Sequence, residues 1–395
     1  MASVRAGLMP APLSQGMMTA TDTMPDAADR RSWAEWLDGH SGRIMVLPAV
    51  IVLLCFAIFP LIISAYLALS RFALAPGGFT LKFIGLLNFR KLLVGSQQYH
   101  LLGKFGTFGF VQSALLALIA AGLFFLLARY LLRGRPTIVG TVGRLLATAM
   151  AMGLAVLALA TMAPGGVPGT VVNTLLYVFV GVSVQFALGL GLALLCGQPI
   201  RGRNFFRVLF FIPLMVTPVG IAYTFRMLAD MQKGPFAPLV RAFGISEWSW
   251  ATEAWSARLM VLVGDTWQWT PFMFIVLLAA IENQPRDQVE AARLDGANGF
   301  QIFRDITWPA IAPIAATVVL IRLIEAFKII DLPNVLTGGG PGLATESMTL
   351  HSFISWRTQD LGGSAAIGYM LLFISTIVCV SFFNFVVRPA RRFEA

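Results

Sequence analysis

The chain has 395 residues, 57% of them hydrophobic and only 12% charged, with a mean hydropathy of +0.77 and a formal net charge of +10. A soluble domain carries about 25% charged residues, so this composition excludes a soluble fold and makes the bilayer the solvent for most of the chain. The positive charge does not point to nucleic acid, because the basic residues lie in short loops between apolar runs, as membrane orientation signals do.

Residues 1–43 read as a cytoplasmic tail rich in Pro, Met, Ser, Thr and Asp, disordered as far as a short surface helix at Ser32–Asp38. The first apolar run is a full-length span and not the core of a cleavable signal peptide. Crossing about 30 Å of hydrocarbon takes roughly 20 apolar residues. Eight segments qualify, at 44–69, 108–128, 145–163, 170–195, 205–228, 257–281, 310–332 and 365–387. The fifth contains Pro213, Pro218 and Arg226 and is kept, because neighbouring helices re-satisfy backbone freed by proline. The predicted fold is therefore an all-α membrane bundle of about eight helices. Cys55, Cys196 and Cys379 fall in apolar runs, and His40, His100 and His351 are scattered, so the sequence shows neither a disulfide framework nor a metal-ligand pattern.

Orientation follows from the loops. Arg30, Arg31 and Arg43 precede the first span, and Arg129, Arg133, Arg135 and Arg144 flank the turn between the second and third. Arg201, Arg203 and Arg207, then Arg286, Arg293 and Arg304, then Arg388, Arg391 and Arg392 continue on the same side. With positive residues inside, both termini are cytoplasmic. The segment after the first span carries Arg71, Lys82, Arg90, Lys91 and Lys104 and breaks the bias.

The loop between the sixth and seventh spans reads RDQVEAARLDGANGFQIFRDITWPAIAP. Arg286–Leu294 suits a helix with Val289 and Ala292 on one stripe, Gly296 and Gly299 mark a break, and Phe300, Phe303 and Ile306 define a second amphipathic segment. Pro309 is placed to open the next membrane helix at a first-turn position. Such a hairpin on rigid helices suits docking to a cytoplasmic partner.

The spacing of Glu290-Ala291-Ala292, Gly296, Ile306 and Trp308-Pro309 resembles the EAA loop of binding-protein-dependent ABC importer permeases, with Trp308 where that pattern has leucine. Residues 173–387 resemble the sugar and polyol (maltose-type) branch, carried by NTLLYVFVGVSVQFALGLGLALL, RGRNFFRVLFFIPLMVTP, DTWQWTPFMF and DLPNVLTGGGPGLATESMTL; FPLIISAYLALSRF and FIGLLNFRKLL extend the match towards the N-terminus. The resemblance implies that Glu290, Ala291, Ala292, Gly296, Ile306 and Pro309 form the coupling contact with an ATPase subunit. It also implies a second permease subunit of different sequence, two ATPase subunits that bind ATP and Mg, a periplasmic or lipid-anchored solute-binding protein, and a bacterial inner-membrane location. No Walker A sequence occurs here, so no nucleotide or other cofactor is expected on this chain. Six spans are common in the branch. The excess is expected at 105–165, an inserted two-helix hairpin between a first section at 44–104 and a permease core at 166–388 that contains the loop 286–309, with a tail at 389–395.

Intramembrane charges are costly and mark function or packing. The seventh span carries Arg322, Glu325, Lys328 and Asp331 at helical spacing, read either as a wet stripe facing solute or as internal ion pairs. The sixth carries Trp267, Gln268, Trp269 and Phe272, which suit stacking on sugar rings or anchoring at the membrane interface. By the maltose-type resemblance, these four with Arg322, Glu325 and Ile329 line the solute path. The run Thr337–Gly342 lacks the Lys-Ser/Thr of a phosphate cradle and reads as a periplasmic turn. A gradient-driven secondary carrier or a channel, with no ATPase partner, is the rival reading, and a membrane enzyme finds no credible set of catalytic groups.

Overall fold

The computed structural model describes residues 40–43, 45–133, 137–199, 201–242, 249 and 251–387. The N-terminal tail with its Ser32–Asp38 helix, and the basic C-terminal tail, lie outside the described residues. Residues up to Ile62 form one unit: most of helix α1 (His40–Ala68), with every described side chain from Met45 to Ile62 exposed. The second unit begins at Ile63. A hairpin follows, β1 (Ser70–Ala75) antiparallel to β2 (Gly78–Phe83), then short helices α2 (Leu87–Leu93) and α3 (Gln98–Leu102). Helices α4 (Phe110–Arg133) and α5 (Ile138–Thr161) pack on each other. A two-residue ladder, β3 (Gly103–Lys104) against β4 (Val167–Pro168), brings the two ends of this helix pair together.

Helix α6 (Thr170–Cys196, with a π turn at Tyr177–Gly181) and α10 (Ala254–Glu282) form the centre. Between them lie α7 (Arg203–Met215), α8 (Pro218–Leu228) and α9 (Ala237–Ala242). After α11 (Arg286–Leu294) come α12 (Gly299–Ala326), α13 (Met348–Arg357) and α14 (Leu361–Val387). Val182, Ala193, Met273, Phe274, Leu277, Ala315, Val318, Ala366 and Ile367 form the main core, drawn from α6, α10, α12 and α14. Seven described helices are long and apolar enough to cross a membrane, and the α7–α8 pair makes an eighth if taken as one span. No described side chain of Phe110–Leu132 is buried, so α4 presents its apolar surface outward.

Two expectations need correction. The fifth span, expected as one helix over 205–228, is two helices bent by 99°. Pro218 disfavours helical backbone at the residue before it, and Thr217 is extended (φ −65°, ψ 145°) and caps α8 by accepting from Gly220 N. The seventh span ends at Ala326 and not at 332, its last turn tightened by Lys328 N to Glu325 O and Ile329 N to Ala326 O. Lys328 and Asp331 therefore lie beyond α12, and the expected four-charge stripe does not exist. Pro309 stands, as expected, in the first turn of the α segment Trp308–Ala326, which a π turn over Phe303–Thr307 joins to the short first turn of α12 at Gly299–Ile302.

The contact between α6 and α10 depends on a small residue. A Cβ at Gly189 would lie 2.5 Å from Met273 Cβ and 3.0 Å from the Phe274 nitrogen, whereas one at Gly191 meets nothing within 4 Å. Gly189→Ala is expected to destabilise the protein by about 1–3 kcal/mol. Gly191→Ala is expected to be neutral or to stabilise by up to about 1 kcal/mol. Thermal unfolding of the two variants in detergent checks the contrast, and equal melting temperatures would refute it.

Candidate functional site

The hairpin from Arg286 to Pro309 stands clear of the bundle. No residue of α11 is buried. Its C-terminus closes by a Schellman pattern, Ala297 N donating to Ala292 O (2.9 Å) and Gly296 N to Arg293 O (3.1 Å). This requires a left-handed residue at Gly296, which has φ +83° with open space around its missing Cβ. Two residues on, Asn298 begins α12 with a reciprocal capping box: Gln301 N donates to Asn298 Oδ1 (2.9 Å) and Asn298 N to Gln301 Oε1 (2.8 Å). Only Ala297 separates the two devices, so the angle between the helices is tightly specified. A cleft of about 550 Å³ between them is lined by Gln288, Ala291, Ala292, Asp305, Ile306 and Pro309, among others. Glu290 is exposed on α11, and Leu294 and Phe300 stand 89% and 69% exposed at the turn, apolar surface that invites a partner. Below the hairpin, Arg207 donates to Cys196 O (3.1 Å) and to the Glu282 carboxylate, joining the ends of α6 and α10 through α7.

Arg322 is 1% exposed, and its partners are on other helices. Its Nη2 donates to Asp265 Oδ2 (2.5 Å) and its Nε to Gln185 Oε1 (2.8 Å), while Gln185 Nε2 donates to the same Asp265 oxygen (2.7 Å). The guanidinium also lies 4.6 Å from the Trp269 ring centroid. One closed network thus joins α6, α10 and α12. Glu325 pairs separately with Lys328 (2.8 Å), the lysine exposed and the glutamate half-buried.

A second polar cluster lies at the far end of α10 from the hairpin. Thr170, Asn173, Thr174 and Tyr177, one face of the first turns of α6, are all buried. Asn173 Oδ1 accepts from Arg258 Nε (3.0 Å), and its Nδ2 donates to Leu343 O (3.0 Å) and Glu346 O (3.2 Å). Tyr177 Oη donates to Thr345 O (3.0 Å), and Met348 N donates to Thr174 Oγ1 (2.9 Å). Glu346 Oε2 lies 2.7 Å from His100 Nε2, and the His100 ring stacks on His351 at 3.8 Å. Burial foremost, and then the neighbouring His100, pushes the His351 imidazole down to about 3. The two histidines read as scattered are therefore neighbours, brought together by α3 and α13.

The seven expected path residues do not share one cavity. Trp267 borders an apolar groove of about 770 Å³ with Val184, Leu188, Leu209, Thr266 and Thr270, and packs edge-on against Phe225. Phe272 borders a smaller one of about 370 Å³ with Ile314, Thr317 and Ile321. Trp269 lies between Phe272 and Arg322. Gln268, Arg322 and Ile329 are interior, the last in a cluster with Tyr177, Ile221 and Leu336, and Glu325 is half-buried. Arg258 and Asp265 escape the sequence reading although both are charges inside the sixth span; the same rule that flags Arg322 would have found them.

The comparisons with known proteins place this geometry. Residues 185–393 match the family described as the inner membrane component of binding-protein-dependent transport systems. The chain is similar to the trehalose/maltose transport system permease protein MalF of Thermococcus litoralis, 35% identical over 221 residues that cover 56% of this chain and 73% of the relative. It is similar to the sn-glycerol-3-phosphate transport system permease protein UgpA of Salmonella typhi, 29% identical over 50% of this chain and 68% of that protein. In fold it resembles a chain of a bacterial alginate ABC transporter solved in complex with an alginate pentasaccharide-bound periplasmic protein, with a TM-score of 0.59, 15% identity and coverage of 92% of this chain and 99% of that one.

Proposed function

Because this chain belongs to the family of inner membrane components of binding-protein-dependent transport systems, we propose that it is one of two permease subunits of an ATP-driven importer for a sugar, polyol or related carbohydrate. The observation that carries the coupling half of this reading is the exposed hairpin, whose small residues Ala291 and Ala292 line a cleft beside Ile306 and Pro309. Glu290, Ala291, Ala292 and Gly296 present that hairpin to an ATPase subunit; ATP and Mg act on the ATPases. Closure of two such subunits moves α11, and the Arg207 clasp passes the motion to α6 and α10, opening and closing a path by alternating access. A solute-binding protein delivers to the opposite end, where the Gly338–Gly342 turn lies. With α11 on the cytoplasmic side of a bacterial inner membrane, both termini are cytoplasmic. The helix pair within 105–165 is an addition to the permease core of 166–388.

The carbohydrate class is supported by what the similar permeases carry by name, trehalose or maltose and glycerol 3-phosphate. On this chain, Trp267 and Trp269 on α10 are the aromatic faces available to a sugar ring, with Phe272 beside them. A gradient-driven carrier would leave the α11 hairpin without a role.

Affinity purification of the tagged chain from native membranes in mild detergent, with mass spectrometry of its partners, is expected to recover an ATPase subunit and a second permease. Uptake of a labelled carbohydrate by the reassembled complex is expected to require ATP. A chain that is isolated folded and alone, with uptake abolished by a protonophore and indifferent to ATP, would overturn the reading.

A further inference from the structure

From the cluster at the end of the bundle opposite α11, we infer that His100, Glu346 and His351 form a binding site for a divalent transition-metal ion of the zinc class. Each residue offers one ligand atom, and the three atoms lie within 4.8 Å of one another. Two imidazoles and a carboxylate are the donor set that zinc takes in open sites, with a fourth position left for water. The second observation is Glu346 itself. It is 2% exposed, and among the described residues its Oε2 meets only His100 and its Oε1 is buried without a hydrogen-bond partner. An ionised carboxylate accepts at both oxygens, and leaving one bare in the interior is costly. A cation held between the carboxylate and the imidazoles removes that cost.

The surroundings hold the ligands in place. Glu346 is fixed through its own carbonyl by Asn173 Nδ2 (3.2 Å), and His351 Nδ1 lies 3.5 Å from Thr170 Oγ1, an outer partner of the kind that orients a ligating ring. Zinc–ligand bonds of about 2.0–2.2 Å set tetrahedral ligand atoms about 3.3 Å apart, so the cluster must contract. His100, whose side chain is 28% exposed, is the ring that turns out of the 3.8 Å stack, and it opens the fourth position to solvent. The ion would join two segments that are distant in sequence: α3, and the start of α13 with the residue just before its cap. Zinc is redox-inert, so its work there is mechanical, stiffening the end of the bundle that faces away from α11.

The test is a titration of ZnCl₂ into the intact complex carrying the full chain, after chelation and dialysis, by calorimetry and by melting temperature. The expected result is saturable binding of about one Zn²⁺ per chain, with a rise in melting temperature. Affinity is expected to fall at least about tenfold in Glu346→Gln and in His100→Ala, the latter at a partly exposed position. Co²⁺ as a spectroscopic probe is expected to show d–d bands without a thiolate charge-transfer band, which sets the site apart from Cys55, Cys196 and Cys379. Absence of saturable binding, equal affinity in wild type and His100→Ala, or a thiolate band would overturn the inference and leave the three residues as a hydrogen-bonded cluster only.

Discussion

Arg322→Met is expected to destabilise the protein by about 3–5 kcal/mol, the cost of breaking a buried pair from one side. The variant leaves Asp265, 3% exposed, as a carboxylate inside the bundle whose remaining partner is Gln185. It also leaves Gln185 Oε1 without its donor and Trp269 without its cation. Removing the whole network is different in kind. A triple variant, Gln185→Leu, Asp265→Leu and Arg322→Met, carries no buried charge at this position, and replacing a buried pair by apolar groups of similar size is often neutral or stabilising. Size-exclusion monitored melting in detergent separates the cases: the single variant is expected to melt well below wild type and the triple variant close to it. Arg322→Lys distinguishes charge from shape, because lysine keeps the positive charge but loses the fork that reaches Gln185 and Asp265 together. If the single and triple variants melt alike, the network is not what joins α6, α10 and α12. If the triple variant is stable but transports nothing, Arg322 and Asp265 serve the path as well as the packing.

The contrast between this network and its sequence signal shows where a linear reading stops. Spans are legible because apolar run length is a local property, and the hairpin is legible because Gly296 and the Asn298–Gln301 pair signal a helix end and a helix start within a few residues. Partners are not local. Asp265 lies 57 residues from Arg322, and Glu346 lies 246 from His100. Helical spacing offers Arg322 the neighbour Glu325, but in the lipid-solvated bundle the buried guanidinium turns to the facing helix while Glu325 pairs with Lys328 at the exposed end. Pro218 after a Thr is a helix-start signal that marks the bend at Thr217, but the long apolar run around it equally suits one span that tolerates a proline. The spread of the expected path residues has a related reason. Trp267, Gln268 and Trp269 are consecutive, so on a helix they cannot share a face, and the structure sends Trp267 to the α7–α8 side and Trp269 to Arg322.

Substitution at Gly296 is expected to abolish most transport while leaving the bundle folded. The residue sits at φ +83° with nothing within 4 Å of its Cβ position, so a larger side chain meets no clash and the cost is backbone strain alone, about 1–2 kcal/mol. None of that strain reaches the core, because no residue of α11 is buried. Relief comes instead from giving up the Schellman bonds of Gly296 and Ala297, which lets α11 swing relative to α12. A strain of this size lowers the fraction of chains with the native hairpin angle by about 5–30-fold, and ATP-driven uptake is expected to fall accordingly in Gly296→Val. Asparagine tolerates the left-handed conformation, so Gly296→Asn is expected to recover most of the activity, a rescue that a simple loss of side-chain contact does not explain. Glu290→Ala, which alters no backbone and removes one exposed carboxylate from α11, separates the docking chemistry from the hairpin angle. The readouts are ATP-driven uptake, co-purification of the ATPase subunit and melting temperature of the complex. If Gly296→Val and Glu290→Ala both transport at the wild-type rate, α11 is not the element that couples this chain to ATP. If Gly296→Val retains its ATPase partner but loses uptake, the angle set by the Schellman turn and the Asn298 capping box is what transmits the stroke.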